Sequence, residues 1–385
     1  MNQLRFSSAP LPAAPGTHPK GQAEQVTHFL AVNDYLDPAD IEFLVQCRYP
    51  KAVWETLPSE AEHDGGIEVA PGVLRLSARS IMHGPYLPSV LADENANGSA
   101  QLETVPHPAN FPHATAMVWA LTTVRERGEE PFPHSGDRDG LARIFAEGLP
   151  IREEYRQVTT LVAMARYLNG SAHFDAVFSP PTRVYQPRTD VQRYRQISPD
   201  AAANVDRIIY SDVWLDPQAA LRIGQLVAPT MGYMPTEIPW EGPADPEDNL
   251  DRTYSILSQE EIDALHERAE QADREILSAP QQVSAYGLVY EVTQGDIISI
   301  EVGGTDELPP VLDNIEWARN GVVEYRIRWV PDDLDDWQKE IPSFDLRKRR
   351  TRILEIVSAL TKGFYAATSG EIVDEDGFLH DPRSL

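Results

Sequence analysis

His173 and Asp175 stand two residues apart in the run HFDAVF, which reads as a strand, so both side chains leave one face. A histidine and an aspartate on one face can orient a general base or supply two metal ligands. His107, His113 and His134 fall in loops beside the neighbouring apolar run, with Asp137 and Asp139 close by. If His113, His134, His173 and Asp175 converged, they would suit a metal-dependent hydrolase. The opposing expectation is that a histidine on an apolar strand is hydrogen-bonded structure.

A second candidate is basic. Arg347, Lys348, Arg349, Arg350 and Arg352 open a helical pattern. Cations at a helix N-terminus oppose its dipole, at about 0.3–1 kcal/mol each. Arg347, Arg349, Arg350 and Arg352 are therefore candidates for binding an anion or a partner. The competing expectation pairs them with Asp332, Asp333, Asp335 and Asp336, a dozen or so residues earlier.

Other patterns carry less. Asp374, Asp376 and His380 imitate a calcium loop, but Phe378 breaks the spacing and a hairpin turn accounts for them. Arg183, Arg188, Arg193 and Arg195 interleave with Tyr185 and Tyr194 without the signature of an RNA module. Cys47 is the only cysteine, which excludes an internal disulfide and a thiolate cluster within one chain. No G-x-S-x-G, G-x-G-x-x-G or P-loop motif occurs, so no nucleophile elbow and no cofactor is expected.

These residues need elements to hold them. Leu346, Ile353, Val357, Leu360 and Phe364 fall on one helical stripe, with Ser343 as N-cap. Glu371–Val373, the turn Asp374–Gly377 and Phe378–Leu379 then form a hairpin. A similar order precedes it: a helix over Glu153–Leu168, a strand over His173–Phe178 and a second over Arg183–Tyr185. Apolar strands precede both units, at 72–81 and 116–124 in one and at 282–302 and 322–330 in the other. Strand, strand, helix, hairpin thus occurs twice, which predicts an internal duplication. Asp37-Pro38 and Asp216-Pro217 are matching helix entries, with proline at the first helical position. Ser258–Leu277 reads as a charged surface helix with a Ser258/Glu261 capping box.

The expected fold is α+β: two related modules of antiparallel strands with packed helices, joined by a mixed central segment. The expected divisions are a disordered tail over 1–23, a module over 24–228, a proline-rich linker with the surface helix over 229–281, and a module over 282–385. A net charge of −27 disfavours nucleic acid and anionic membrane surfaces. No apolar run is long enough for a transmembrane helix or a signal peptide. Cytoplasmic residence is expected, and arginine over lysine with abundant alanine and proline suggests a high-GC bacterial genome. The expected function is non-catalytic: a regulatory or immunity-type protein that turns an acidic surface to a protein partner. The metal-dependent hydrolase is the alternative.

Overall fold

The computed structural model describes residues 5–12, 24–63, 66–87, 89–91, 102–104, 107, 109–132, 136–176, 193–235, 285–293, 295–313, 315–319 and 321–385, with single positions at 258, 264 and 268. In chain order the first half holds β1 (Arg5–Ser7), β2 (Gln25–Val32), α1 (Pro38–Arg48), β3 (Val53–Thr56), β4 (Ser59–His63), β5 (Gly66–Ala70), β6 (Gly72–Arg75), β7 (Ile81–Tyr86), β8 (Ser89–Leu91), β9 (Leu102–Thr104), β10 (Met117–Val124), α2 (Leu141–Ile144), α3 (Arg152–Tyr167), β11 (Ser171–Asp175) and β12 (Tyr194–Ile197). The second half holds β13 (Arg207–Ser211), α4 (Pro217–Val227), β14 (Gly232–Tyr233), β15 (Ala285–Thr293), β16 (Asp296–Thr305), β17 (Val322–Val330), α5 (Leu334–Trp337), α6 (Phe344–Thr368), β18 (Glu371–Asp374) and β19 (Leu379–His380).

Two seven-stranded antiparallel sheets dominate, as the α+β expectation requires. Their strand orders are β12-β11-β2-β10-β7-β6-β3 and, read in the same sense, β19-β18-β13-β17-β16-β15-β14. Each module begins with a strand that ends up inside its sheet, crosses a helix, lays down four strands as a meander, crosses a second helix and closes with two strands. The hydrogen-bond register agrees as well. Leu30 pairs with Trp119 and Ala172; Ile209 pairs with Tyr325 and Ile372. Trp54 lies opposite Leu74, as Tyr233 lies opposite Leu288. Counted from Leu30 and Ile209, the two segments from the first strand through the first helix to the edge strand match without a gap. Val26, Leu36, Asp37, Pro38, Gln46 and Pro50 recur as Val205, Leu215, Asp216, Pro217, Gln225 and Pro229.

The caps explain why both first helices start where they do. Asp37 Oδ1 accepts from Ala39 N at 2.9 Å, and Asp216 Oδ1 accepts from Gln218 N at 2.9 Å. The second helices, α3 and α6, run over the sheet faces made by Leu30, Trp119, Ala172 and Phe174 and by Ile209, Tyr325, Ile327 and Ile372. The expected stripe of α6 is the buried one: Leu346, Ile353, Val357, Leu360 and Phe364. Fully burying each such side chain is worth about 1.5–3 kcal/mol.

The structure corrects several boundaries. β13 and α4 pair and pack with the second sheet, so the division at 228 does not follow the sheets. Residues 5–7, inside the expected tail, form β1 against β5, with Phe6 and Ser7 buried. Residues 53–70 carry three strands that their acidic, poorly alternating sequence hides. β11 pairs with β12 on one side and with β2 on the other. Residues 183–185 and most of the 258–277 helix lie outside the described residues.

Candidate functional site

The predicted histidine and aspartate are brought to one sheet face and used there. His173 is fully buried; Nδ1 is 3.1 Å from the Ala109 carbonyl oxygen and Nε2 is 3.0 Å from Ser171 Oγ. Phe111 packs edge-on against its ring at 4.8 Å. Burial pulls its pKa down to about 4, so the ring is neutral at pH 7. Asp175 Oδ2 accepts from Arg193 Nη2 at 2.8 Å and Arg125 Nη2 at 3.0 Å. His113 is exposed on a loop, and His134 lies outside the described residues. Among the described residues no group of three or more His, Cys, Asp or Glu is placed to hold a metal.

Sequence reasoning missed the charged cluster behind them. Glu154, buried on α3, accepts from Arg127 Nη2 at 2.6 Å and from the Glu126 backbone N at 2.7 Å. His28 Nε2 lies 3.4 Å from Glu154 Oε1, and His28 Nδ1 accepts from Asp175 N at 3.2 Å. Burial pulls His28 downward and keeps it neutral. Two signals were available: Arg125 and Arg127 alternate at the end of the 117–124 run, and Glu154 shares a helical stripe with Val158 and Leu161. At the equivalent places of the second module the residues differ. Arg207 stands in the register place of His28, and Leu354, counted back from the helix ends, in that of Glu154.

The modules meet at the β18–β19 turn, which is a clasp. Asp374 Oδ1 accepts from the backbone N of Asp376 and Phe378, and Oδ2 is 2.8 Å from His380 Nε2, so the calcium-like residues shape the turn. Asp376 then reaches Arg166, and Asn204 Nδ2 at 3.0 Å; Glu375 reaches Arg138 Nη1 at 3.0 Å. Arg166 is buried and also holds Asp139. Phe378 is buried in the first module's core. Cys47 is buried in the same core, and its thiol is pushed upward in pKa, away from a reactive thiolate.

The basic candidates separate. Arg349 Nη1 bridges Asp296 and Asp332 at 2.7 Å each, as local pairing predicts. Arg350 is buried and donates to Asp200 Oδ2 at 2.9 Å. Arg347, Lys348 and Arg352 are exposed, and among the described residues none pairs with an acid. α6 begins eight residues before the place equivalent to the start of α3: Asn169-Gly170 and Ser369-Gly370 end the two helices, which sets Arg152 against Arg352. The first two turns of α6 are therefore an addition of the second module. Beside them Ile341 is 77 % and Phe344 72 % exposed, and Leu334 is also exposed.

Next to this stretch lies a groove of about 370 Å³ at the end of β17, lined by Ile208, Trp329, Val330, Pro331, Leu334 and Trp337 with Arg326, Arg328 and Glu375. Asp206 sits in it, accepting from Trp329 N at 2.9 Å. Burial raises its pKa to about 6, against the pull of that hydrogen bond and of Arg328.

No protein family, no curated protein and no solved structure matches the chain.

Proposed function

We propose that this is a non-catalytic, partner-binding protein that arose by internal duplication, with its partner surface on the second module between Val330 and Arg352. One observation carries the reading. Exposed Phe344, Arg347 and Lys348 stand on a helical extension that the shared module plan does not require, flanked by exposed Ile341 and Arg352, and among the described residues none of the three cations pairs with an acid. Exposed apolar groups rimmed by charge mark interaction sites. Arg347, Lys348 and Arg352 offer an acidic partner a cationic contact within a stretch, Val330 to Arg352, whose six acids and six bases balance. The groups that looked catalytic support the same reading, since His173 and Asp175 are buried and engaged. The hydrolase alternative needs His113, His134, His173 and Asp175 to face one space; His134 lies outside the described residues, His113 is exposed and the other two are enclosed. A regulatory or immunity role, in the cytoplasm, is the setting that fits a protein of this kind.

The test is capture from native lysate at low salt, with wild type and the double variant Ile341→Ser/Phe344→Ser. Both positions are exposed, so the variant keeps its fold. The expected result is a stoichiometric protein that wild type holds, that salt releases and that the variant loses. Retention of the same protein by the variant would overturn the placement of the surface.

A further inference from the structure

The two modules can be read against each other. In the first, the sheet face opposite α3 carries Phe29, Ala31, Val118, Ala120 and Tyr194. Part of its cover is the chain's own segment that follows β1: Ala9 and Leu11 pack on that cluster, with Pro10 between them. His107 Nε2 lies 3.4 Å from the Pro12 carbonyl oxygen and fixes the segment's end.

Among the described residues, the corresponding face of the second module is covered only in part. The short 3₁₀ turns at Pro310–Leu312 and Glu316–Ala318 pack against Tyr210, Val322 and Val373. Ile208 pairs with Arg326 in the register place where Phe29 pairs with Ala120, and both line the open groove at the end of β17. Val330 and Leu334 beside them are 39 % and 51 % exposed.

We propose that this groove binds an extended, proline-containing segment of the partner that carries an acidic side chain. The inference rests on the partner-binding reading and names the partner's chemistry. Ala9-Pro10-Leu11-Pro12 shows what occupies the equivalent face within the same molecule. Proline-rich segments suit such a place because they are preformed and lose little entropy on docking into grooves lined by aromatic residues, here Trp329 and Trp337. The acidic requirement comes from Arg326 and Arg328, which stand where the first module has Ala120 and Thr122. Both side chains are about half exposed, at 40 % and 46 %; Arg326 Nε donates to Glu324 Oε1 at 2.5 Å, and Arg328 Nε lies 3.6 Å from Asp206. An incoming carboxylate between them would add charge-assisted contacts on the exposed edges of the two guanidinium groups.

The experiment uses the full chain and an array of octapeptides containing both proline and an acidic residue. Matched controls replace proline by glycine or the acid by lysine. The expected result is selective binding of the proline-plus-acid peptides, weakened about tenfold or more by Arg328→Glu and by Leu334→Asp, as truncating a central interface contact does. Both positions are solvent-exposed, so folding is preserved. Controls that bind equally, or groove variants that bind as wild type does, would overturn the groove. Ile341→Ser/Phe344→Ser separates the two claims: peptide binding that survives it while lysate capture is lost supports both. Lost capture without any peptide selectivity leaves the surface standing and overturns the groove alone.

Discussion

At the level of single residues, a buried histidine and a half-buried aspartate give opposite pH signatures. His173 has a folded pKa of about 4, below its ordinary value of 6.5. The unfolded chain therefore binds the extra proton first, and stability present above pH 6.5 is lost as pH falls toward 4, by roughly 2–3 kcal/mol. Asp206 is the reverse, raised to about 6 from 3.8. Its contribution is full below pH 4 and is lost as pH rises through 6. His173→Gln should flatten the acid-side loss, and Asp206→Asn should raise stability at pH 8 by about 1–2 kcal/mol relative to pH 4. Urea unfolding across pH 4–8 reads both; an unchanged slope in either variant would refute its assignment. The sequence exposed His173 and Asp175 as a same-face pair, which they are. It could not tell a site from packing, because their partners Ala109, Arg125 and Arg193 come from other elements. His28, Glu154 and Arg127 meet only after three elements assemble, so no local spacing announced them.

At the level of elements, the repeat makes the sharpest forecast. Gly170 and Gly370 follow the helix ends in the two modules. A Cβ on Gly170 would lie 2.5 Å from the Ala31 carbonyl oxygen, and one on Gly370 would overlap the Tyr210 carbonyl oxygen. Ala31 and Tyr210 are themselves register equivalents. Gly370 also has φ of +96°, where an L side chain is strained. Gly370→Ala should cost about 2–4 kcal/mol and Gly170→Ala somewhat less. Denaturation midpoints within 0.5 kcal/mol of wild type, about the scatter of neutral surface changes, would contradict the equivalence. Much of this scale was legible: the α6 stripe, the Ser343 cap, the terminal hairpin and both Asp-Pro helix entries stand as read. What stayed hidden was that the Asp-Pro entries mark the same point in two modules. The first strand of each inserts between its fourth neighbour and the closing strands, a long-range pairing that local pattern does not encode. β3, β4 and β5 were hidden for another reason: β3 and β4 lie at sheet edges and carry exposed Glu55, Glu60 and Glu62, and β5, the middle strand of a small three-stranded sheet, has half-buried Glu68 where a core strand would be apolar.

At the level of the whole molecule, the clasp joins the modules through charge as well as apolar packing. Arg166 holds one acid from each module, Asp139 and Asp376, while almost fully buried. Arg166→Met keeps much of the volume but strands two carboxylates, so it should cost about 2–3 kcal/mol and broaden the thermal transition. A sharp transition at the wild-type temperature would show that the clasp does not couple the modules. On the proposed function, the addition to the second module faces the partner. A photoactivatable phenylalanine analogue placed at Phe344, and for comparison at Leu57 on the first module, tests it inside the native cell. The two positions are similarly open, 72 % and 67 % exposed. The account predicts one discrete cross-linked species from position 344 and none from position 57; a discrete species from position 57, with none from 344, would contradict it.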